Sequence, residues 1–308
     1  MKTDSNLEKT IIDGTIFEKL TKSEQKGETF MKYIVERNMT LLETLSLLSP
    51  QSSKNTLRHW IKAGRVQVNQ VPAKNANEAV EEGQLVTVSQ KKKVIDQGIE
   101  ILYEDSDLVF INKPARLLSV STAFEKSTTA HSLLKAHYHP RRVFVVHRLD
   151  QDTSGVMVFA FNQATLDGLK ELFAKHNIQR CYTAIVEGHL EKSSGTWESL
   201  LVEDSNYVVH ETEDEEEGRT AITHYRTINR NKRYTQLELT LETGRKNQIR
   251  VHCQAAGHPI VGDKKYGYNG TFNKRLCLHA HLLVLKHPIT KKLIKVESPL
   301  PTELNSFL

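Results

Sequence analysis

The sequence predicts an α+β protein, with a mixed, mainly antiparallel sheet preceded by a small α/β module. Beyond residue 99, strand-like segments outnumber helical ones and several neighbouring strands lack a helical crossover; ahead of them, two short helices run into short strands. At 308 residues the chain has room for about two domains of roughly 150 residues each. Its 38% hydrophobic and 26% charged residues exclude a disordered chain, a collagen-like repeat and a coiled-coil rod. No window approaches the roughly 18 consecutive apolar residues of a membrane helix, and residues 1–9 lack the apolar core of a secretory signal. Cys181, Cys253 and Cys277 are odd in number and far apart. They build neither a disulfide framework nor a zinc ligand set, and read as buried apolar fillers. The expectation is a cytoplasmic chain with no membrane contact.

Residues 1–38 are polar and weakly periodic, the pattern of a flexible or loosely helical leader. Leu41, Leu42, Leu45, Leu47 and Leu48 then form a helical apolar stripe that Pro50 closes. Ser52 and Ser53 are candidate caps for a helix over 54–63, which puts Leu57, Trp60 and Ile61 on one face. Gly64 stands where a helix end tolerates positive φ. Val66 and Val68 alternate with polar residues, Asn69-Gln70 turns the chain, and residues 84–88 make a last short strand. These elements define a module over 39–89, and the charged stretch 90–98 reads as a linker. A second domain spans 99–308. Its strands are predicted at 108–112, 143–147, 155–160, 181–187, 221–228, 234–242 and 278–285, and its helices at 129–137, 165–176 and 247–256.

The net charge of +5 says little, but its distribution says more. Lys54, Arg58, Lys62, Arg65 and Lys74 lie within 54–74 with no acid among them, and 241–286 holds eight Lys or Arg against Glu242 and Asp263. Such local excesses point to an anionic partner, nucleic acid first; scattered, solvated charge is the other reading. The acidic run 211–217 reads as a solvated loop.

Two segments carry candidate chemistry. In His147-Arg148-Leu149-Asp150-Gln151-Asp152-Thr153-Ser154-Gly155, one apolar strand runs in and another runs out, which puts the charged residues at a cleft floor or sheet edge. An aspartate beside an arginine stays ionised readily and can serve as nucleophile, base or metal ligand. A turn capped by Asp and Ser would look the same. The second segment runs from Thr243 to His252, followed by Gly257-His258-Pro259 and Gly262-Asp263-Lys264-Lys265-Tyr266-Gly267. Asn247 is a candidate helix cap, with Ile249 inward and Arg250 as a fixed charge for a carboxylate or phosphate. His252, His258, His279 and His281 lie nearby, but their spacing matches no metal-ligand pattern, and no metal site is expected.

Ile61-Lys62-Ala63-Gly64-Arg65-Val66-Gln67-Val68-Asn69-Gln70 resembles the S4 RNA-binding domain, whose second helix leads through such a turn into small strands. Lys54 and Gln70 depart from its usual Arg and Gly. Across residues 100–300 the chain resembles the pseudouridine synthases that modify large-subunit ribosomal RNA and some tRNA (the RluA type). The blocks stand in order: Asn112-Lys113-Pro114; His147-Arg148-Leu149-Asp150 with Thr153-Ser154-Gly155; Tyr182-Thr183-Ala184 with Val186 and Gly188; 244–266; and Leu278-His279-Ala280.

This resemblance implies a synthase catalytic domain that isomerises uridines in structured RNA, ribosomal or transfer, to pseudouridine. Asp150 matches the nucleophile, and Arg250 the residue that pairs with it and keeps it ionised. Tyr182 matches the aromatic that stacks on the target base and shares in proton removal. Arg148 matches the residue that fills the space left by the flipped nucleotide, and Leu278 lines the base pocket. Lys54, Arg58, Lys62 and Arg65 are candidate phosphate contacts. The reaction is redox-neutral, so no metal or cofactor is implied, and the resemblance leans towards a monomer. Arg116, Arg180-Cys181 and Asn247 depart from the pattern, replacing its usual Gly, Lys and His. The competing readings are a non-catalytic RNA-binding or ribosome-associated protein that kept the fold, and a hydrolase of small nucleosides.

Overall fold

The computed structural model describes residues 8–12, 15–19, 31–89, 93–121 and 128–307. Two compact units divide the chain, Met1–Lys92 and Lys93–Leu308.

In the first unit, Thr40 and Glu43 form a reciprocal capping box that opens the helix Leu41–Leu48, and Ser53 caps the helix Lys54–Lys62. Both helices bury Leu41, Leu45, Leu57 and Ile61 with Val66 and Val86 of a four-stranded antiparallel sheet. Each such side chain contributes about 1.5–3 kcal/mol of transfer energy. The sheet order is Met31–Ile34, Leu85–Val88, Val66–Val68, Val71–Pro72. Its first strand corrects the expected leader over 1–38: residues 31–34 belong to the module, because Met31 and Tyr33 pack on its core. Strands Glu8–Ile12 and Thr15–Lys19 form an antiparallel hairpin where a loosely helical leader was expected; most of the remaining leader lies outside the described residues. At the Asn69-Gln70 turn both residues have positive φ, 47° and 70°, as a tight hairpin requires. Lys54, Arg58 and Lys62 are exposed at four-residue spacing on one helix face. Arg65 is tied down instead, donating Nε to the Ser89 carbonyl at 2.8 Å with its guanidinium 4.9 Å from the Trp60 ring.

The second unit is built on one twelve-stranded sheet. The path runs Val209–Thr212, Ser194–Glu203, Arg219–Arg230, Tyr234–Leu241, Ile178–Glu187, Leu278–Lys286, Ser154–Ala160, Leu108–Lys113, Ile99–Glu104, Lys93–Ile95. Phe144–Val145 and Leu293–Glu297 attach at its side. Every pairing is antiparallel except Ser154–Ala160 with Leu278–Lys286, so the sheet is mixed and mainly antiparallel. Lys93–Ile95 corrects the linker expected over 90–98, since it pairs with Ile99–Glu104; residues 90–92 are outside the described set. Of the strand expected over 143–147, only Phe144–Val145 pairs. Helices Ala130–His137, Gln163–Ala174 and Gln248–Ala255 match the three expected, within two residues at each end. The one parallel junction demands glycine at Gly155: φ is +121°, and a Cβ there would overlap the Ala280 carbonyl. Cys181, Cys253 and Cys277 are all buried and free.

Candidate active site

The loop between Phe144–Val145 and Ser154–Ala160 carries Asp150, and two anchors grip the peptides flanking it. The buried Ser119 hydroxyl donates to the Leu149 carbonyl at 2.6 Å and accepts from the Leu149 amide at 3.1 Å. On the other side, the fully buried Lys113 ammonium donates to the carbonyls of Gln151 (3.0 Å), Pro114 (3.0 Å) and Leu117 (2.7 Å). The Thr153 amide closes the turn on the Asp150 carbonyl at 3.2 Å.

Asp150 opens into a cavity of about 100 Å³ that Arg148, Tyr182, Arg250 and Leu278 also line. Its scale is that of the ~150 Å³ void known to accept one benzene ring. Among the described residues no hydrogen bond reaches the Asp150 carboxylate. Burial raises its pKa, against the opposing charges of Arg250, Arg148, Lys113 and Lys246. Tyr182 lies on the central strand Ile178–Glu187, just past a register irregularity at Cys181. Burial pushes its phenol up to about 12 although Arg180 pulls the other way, so it is protonated at neutral pH. Leu278 is buried at the start of its strand, and Arg148 is exposed.

Arg250 corrects one expectation. Its fork is committed to Asp263, with Nε and Nη2 each 2.7 Å from a carboxylate oxygen, while Nη1 donates to Asn247 Oδ1 at 3.1 Å. The expected ion pair with Asp150 is therefore a through-space interaction only. A planar guanidinium meets a carboxylate best along two parallel bonds, and Asp263, itself buried, supplies both. Asn247 corrects a second: it stands at the helix start with φ +53° but makes no capping bond, its amide being spent on Arg250 and on the Tyr266 hydroxyl at 3.0 Å. Gln248 instead organises the helix entry, accepting from the Thr243 hydroxyl at 2.8 Å and the Arg245 amide at 3.0 Å.

Asp263 and Lys113 lay inside the recognised sequence blocks, yet nothing in their spacing said what they touch. Ser119 left no sequence signal at all. Lys54, Arg58, Lys62 and Arg65 belong to the first unit.

The histidines near the site take separate partners. His252 bonds Thr223 and Ser199, His258 the Glu187 carbonyl, His279 Ser154, and His281 Thr183. Asp105, Asp107 and His287 converge elsewhere, but the amides of Ile289 and Thr290 both donate to His287 Nδ1. A neutral ring so held carries its proton on Nε2, the atom facing Asp105 at 3.2 Å, which leaves no lone pair there for a metal.

Residues 107–255 match the family described as RNA pseudouridylate synthase, and residues 39–86 match the S4 domain. The chain is 35% identical to the RNA pseudouridine synthase YhcT of Bacillus subtilis (strain 168), over 83% of this chain and 88% of that one. It is 34% identical to ribosomal large subunit pseudouridine synthase D of Haemophilus influenzae, over 86% and 89%. The solved structure of human RNA pseudouridylate synthase domain containing 4 superposes with a TM-score of 0.56 at 25% identity, covering 67% of this chain and 90% of that one. Among the described residues no helix is long and apolar enough to cross a membrane. A carboxylate left without hydrogen bonds among the described residues in a cavity shared with a protonated tyrosine, an S4 module ahead of it and relatives matched over most of their length agree: the chain belongs to the RNA pseudouridine synthase family and is an RNA-modifying isomerase.

Proposed function

We propose that Asp150 is the nucleophile that converts specific uridines of structured RNA to pseudouridine, with large-subunit ribosomal RNA as the substrate. The observation that carries this reading is the Asp150 carboxylate, gripped through both neighbouring peptides yet free of hydrogen bonds among the described residues, on a cavity that Tyr182 and Leu278 also line. The name of the Haemophilus influenzae relative supports the ribosomal assignment. Tyr182 stacks on the uracil as a neutral phenol, Leu278 closes the pocket, and Arg148 at the mouth takes the vacated place of the flipped nucleotide. Arg250, oriented by Asp263, supplies the field that favours ionised Asp150. The isomerisation breaks one glycosidic bond and makes another, so it consumes no redox equivalent and no external nucleophile. The protein acts as a monomer in the cytoplasm, in keeping with its three free cysteines.

The test uses unmodified large-subunit rRNA and tRNA transcripts, with pseudouridine mapped by mass spectrometry. Wild type modifies discrete rRNA positions, and Asp150→Asn modifies none while binding the RNA as before. Modification of tRNA alone would move the substrate assignment. Turnover by Asp150→Asn would remove the nucleophile.

A further inference from the structure

The catalytic cavity continues sideways. Phe173, Arg180, Gly244 and Arg245 line it and also wall a second cavity of about 450 Å³, completed by Ala174, His176 and Thr243. Among the described residues no carboxylate lines this second space. The nearby acids are occupied: Glu242 holds His224 and Glu171 holds Lys175, each at 2.6 Å.

Arg180 stands where the two cavities join. Its Nη2 is spent on backbone, nearest the Glu242 carbonyl at 2.9 Å, but its Nε is buried without a hydrogen-bond partner and no acid pairs with it among the described residues. Arg245, exposed at the rim, uses only Nε, on the Thr220 carbonyl at 3.0 Å. Phe173 stacks one face on His147, with ring centroids 4.7 Å apart, and Arg180 lies 5.8 Å from its centroid. Gly244 keeps the passage open, since a Cβ there would come within 2.7 Å of Arg180 Nη1. Two guanidiniums without counter-ions among the described residues, beside an aromatic wall and opening directly off the first cavity, fit a phosphodiester with its ribose.

We propose that this second cavity seats the phosphodiester that joins the target uridine to its neighbour, with Arg180 and Arg245 as its ligands. The inference rests on the synthase reading. A nucleotide flipped into the first cavity must lead its backbone out past the rim, and this is the exit lined with unpaired cations.

Arg180 also supports the end of a strand, so the test leaves it in place. Ala174 is exposed at the end of the helix Gln163–Ala174, and Ala174→Glu puts a carboxylate into the cavity without removing a bond. Steady-state kinetics use the full chain and an RNA fragment carrying the mapped uridine, with neutral methylphosphonate linkages placed one at a time. For wild type, one linkage adjacent to the target raises KM about tenfold, the loss of one charge-assisted contact. Ala174→Glu raises KM on native RNA by a similar factor, lowers the salt slope of binding by about one, and is indifferent to that linkage. Ala174→Lys lowers KM. Thermal unfolding stays at the wild-type temperature throughout. A full linkage penalty retained in Ala174→Glu, or no linkage effect in an active wild type, overturns the cavity assignment alone. A wild type that modifies no RNA overturns the synthase reading together with it.

Discussion

Arg250 gives its fork to Asp263, and only its field to Asp150. Two bonds of 2.7 Å fix the plane of the guanidinium, and Asn247 holds its remaining nitrogen at 3.1 Å. The cation is thereby a rigid part of the wall and the carboxylate of Asp150 stays unengaged, as the proposed attack on a substrate would require.

Asp263→Ala should cost the fold about 3–5 kcal/mol, because it leaves a buried guanidinium without its counter-ion. For a unit of this size that lowers the unfolding temperature by on the order of 10 °C. Freed from Asp263, Arg250 should turn to Asp150 and engage the proposed nucleophile, so activity should fall as well. Calorimetry and single-turnover rates check both. Wild-type stability would mean that the bidentate pair contributes nothing.

The pH dependence of Arg250 variants has a fixed sign. Burial already holds the Asp150 carboxyl above the usual carboxylate range, and Arg250 is the foremost charge opposing that rise. With Asp150 as the proposed nucleophile only its ionised form reacts, so the rate should fall as pH drops through its folded pKa. Arg250→Ala moves this acid limb upward, lowering single-turnover rates on the acid side of the profile, with partial recovery at higher pH. Arg250→Lys falls between, restoring charge without the planar fork. Superimposable profiles for alanine and wild type would end the electrostatic argument.

Much of this was legible in the sequence. Apolar periodicity found the three longer helices of the second unit and the strands at its centre, because those segments bury alternating or stripe-like faces; the four-residue helix Thr302–Asn305 is too short to show a period. Ser194–Glu203 escaped, as a strand whose faces are mostly half-exposed has no such contrast. Asp150, Arg148, Tyr182, Arg250 and Leu278, which the family resemblance singled out through local motifs, share one cavity. Their supports were not readable: Ser119 lies thirty positions from Leu149 and Lys113 thirty-eight from Gln151, so only the folded chain shows those bonds. Likewise, sequence alone does not reveal whether Asp263, thirteen positions on, or Asp150, a hundred positions back, offers Arg250 the better geometry.

Asp150→Asn should leave the fold intact and, at neutral pH, slightly more stable. A carboxyl with a raised folded pKa favours the folded state while protonated, and that contribution is lost as pH rises through the folded pKa. The amide never ionises. Unfolding temperatures should therefore match wild type near pH 4 and meet or exceed it near about pH 8. A large destabilisation at neutral pH would show that ionised Asp150 holds the structure together.

The exposed stripe of Lys54, Arg58 and Lys62 should act through phosphates alone. Changing all three to Gln should weaken RNA binding and lower the magnitude of its salt slope by about 3, while turnover at saturating RNA is kept. Arg65→Gln should differ, costing stability through its Ser89 and Trp60 contacts. Filter binding across a salt series separates the two. An unchanged slope for the triple variant would make the stripe ordinary surface charge.

Lys113 is the most deeply placed charge near the site, and its loss should strike rate before affinity. Its ammonium ties the Gln151 peptide to the turn at Pro114 and Leu117, so Lys113→Met leaves three buried carbonyls unsatisfied, at a cost of roughly 3 kcal/mol or more. With that tether gone Asp150 is free to wander, and kcat should fall at least about tenfold while KM for RNA stays near wild type, since Lys113 has no exposed surface to offer a phosphate. Burial pushes Lys113 down to about 7 despite the opposing pull of Asp150 and Asp152. A lysine depressed in the folded state contributes stability that is full above its unfolded pKa, about 10.4, and is lost as pH falls through the folded value. Wild type should therefore gain stability from about pH 7 upward, less the one carbonyl bond that an uncharged amine with two N–H groups gives up, with a slope that Lys113→Met lacks. A variant that keeps both the slope and the wild-type kcat would show that Lys113 neither titrates there nor positions Asp150.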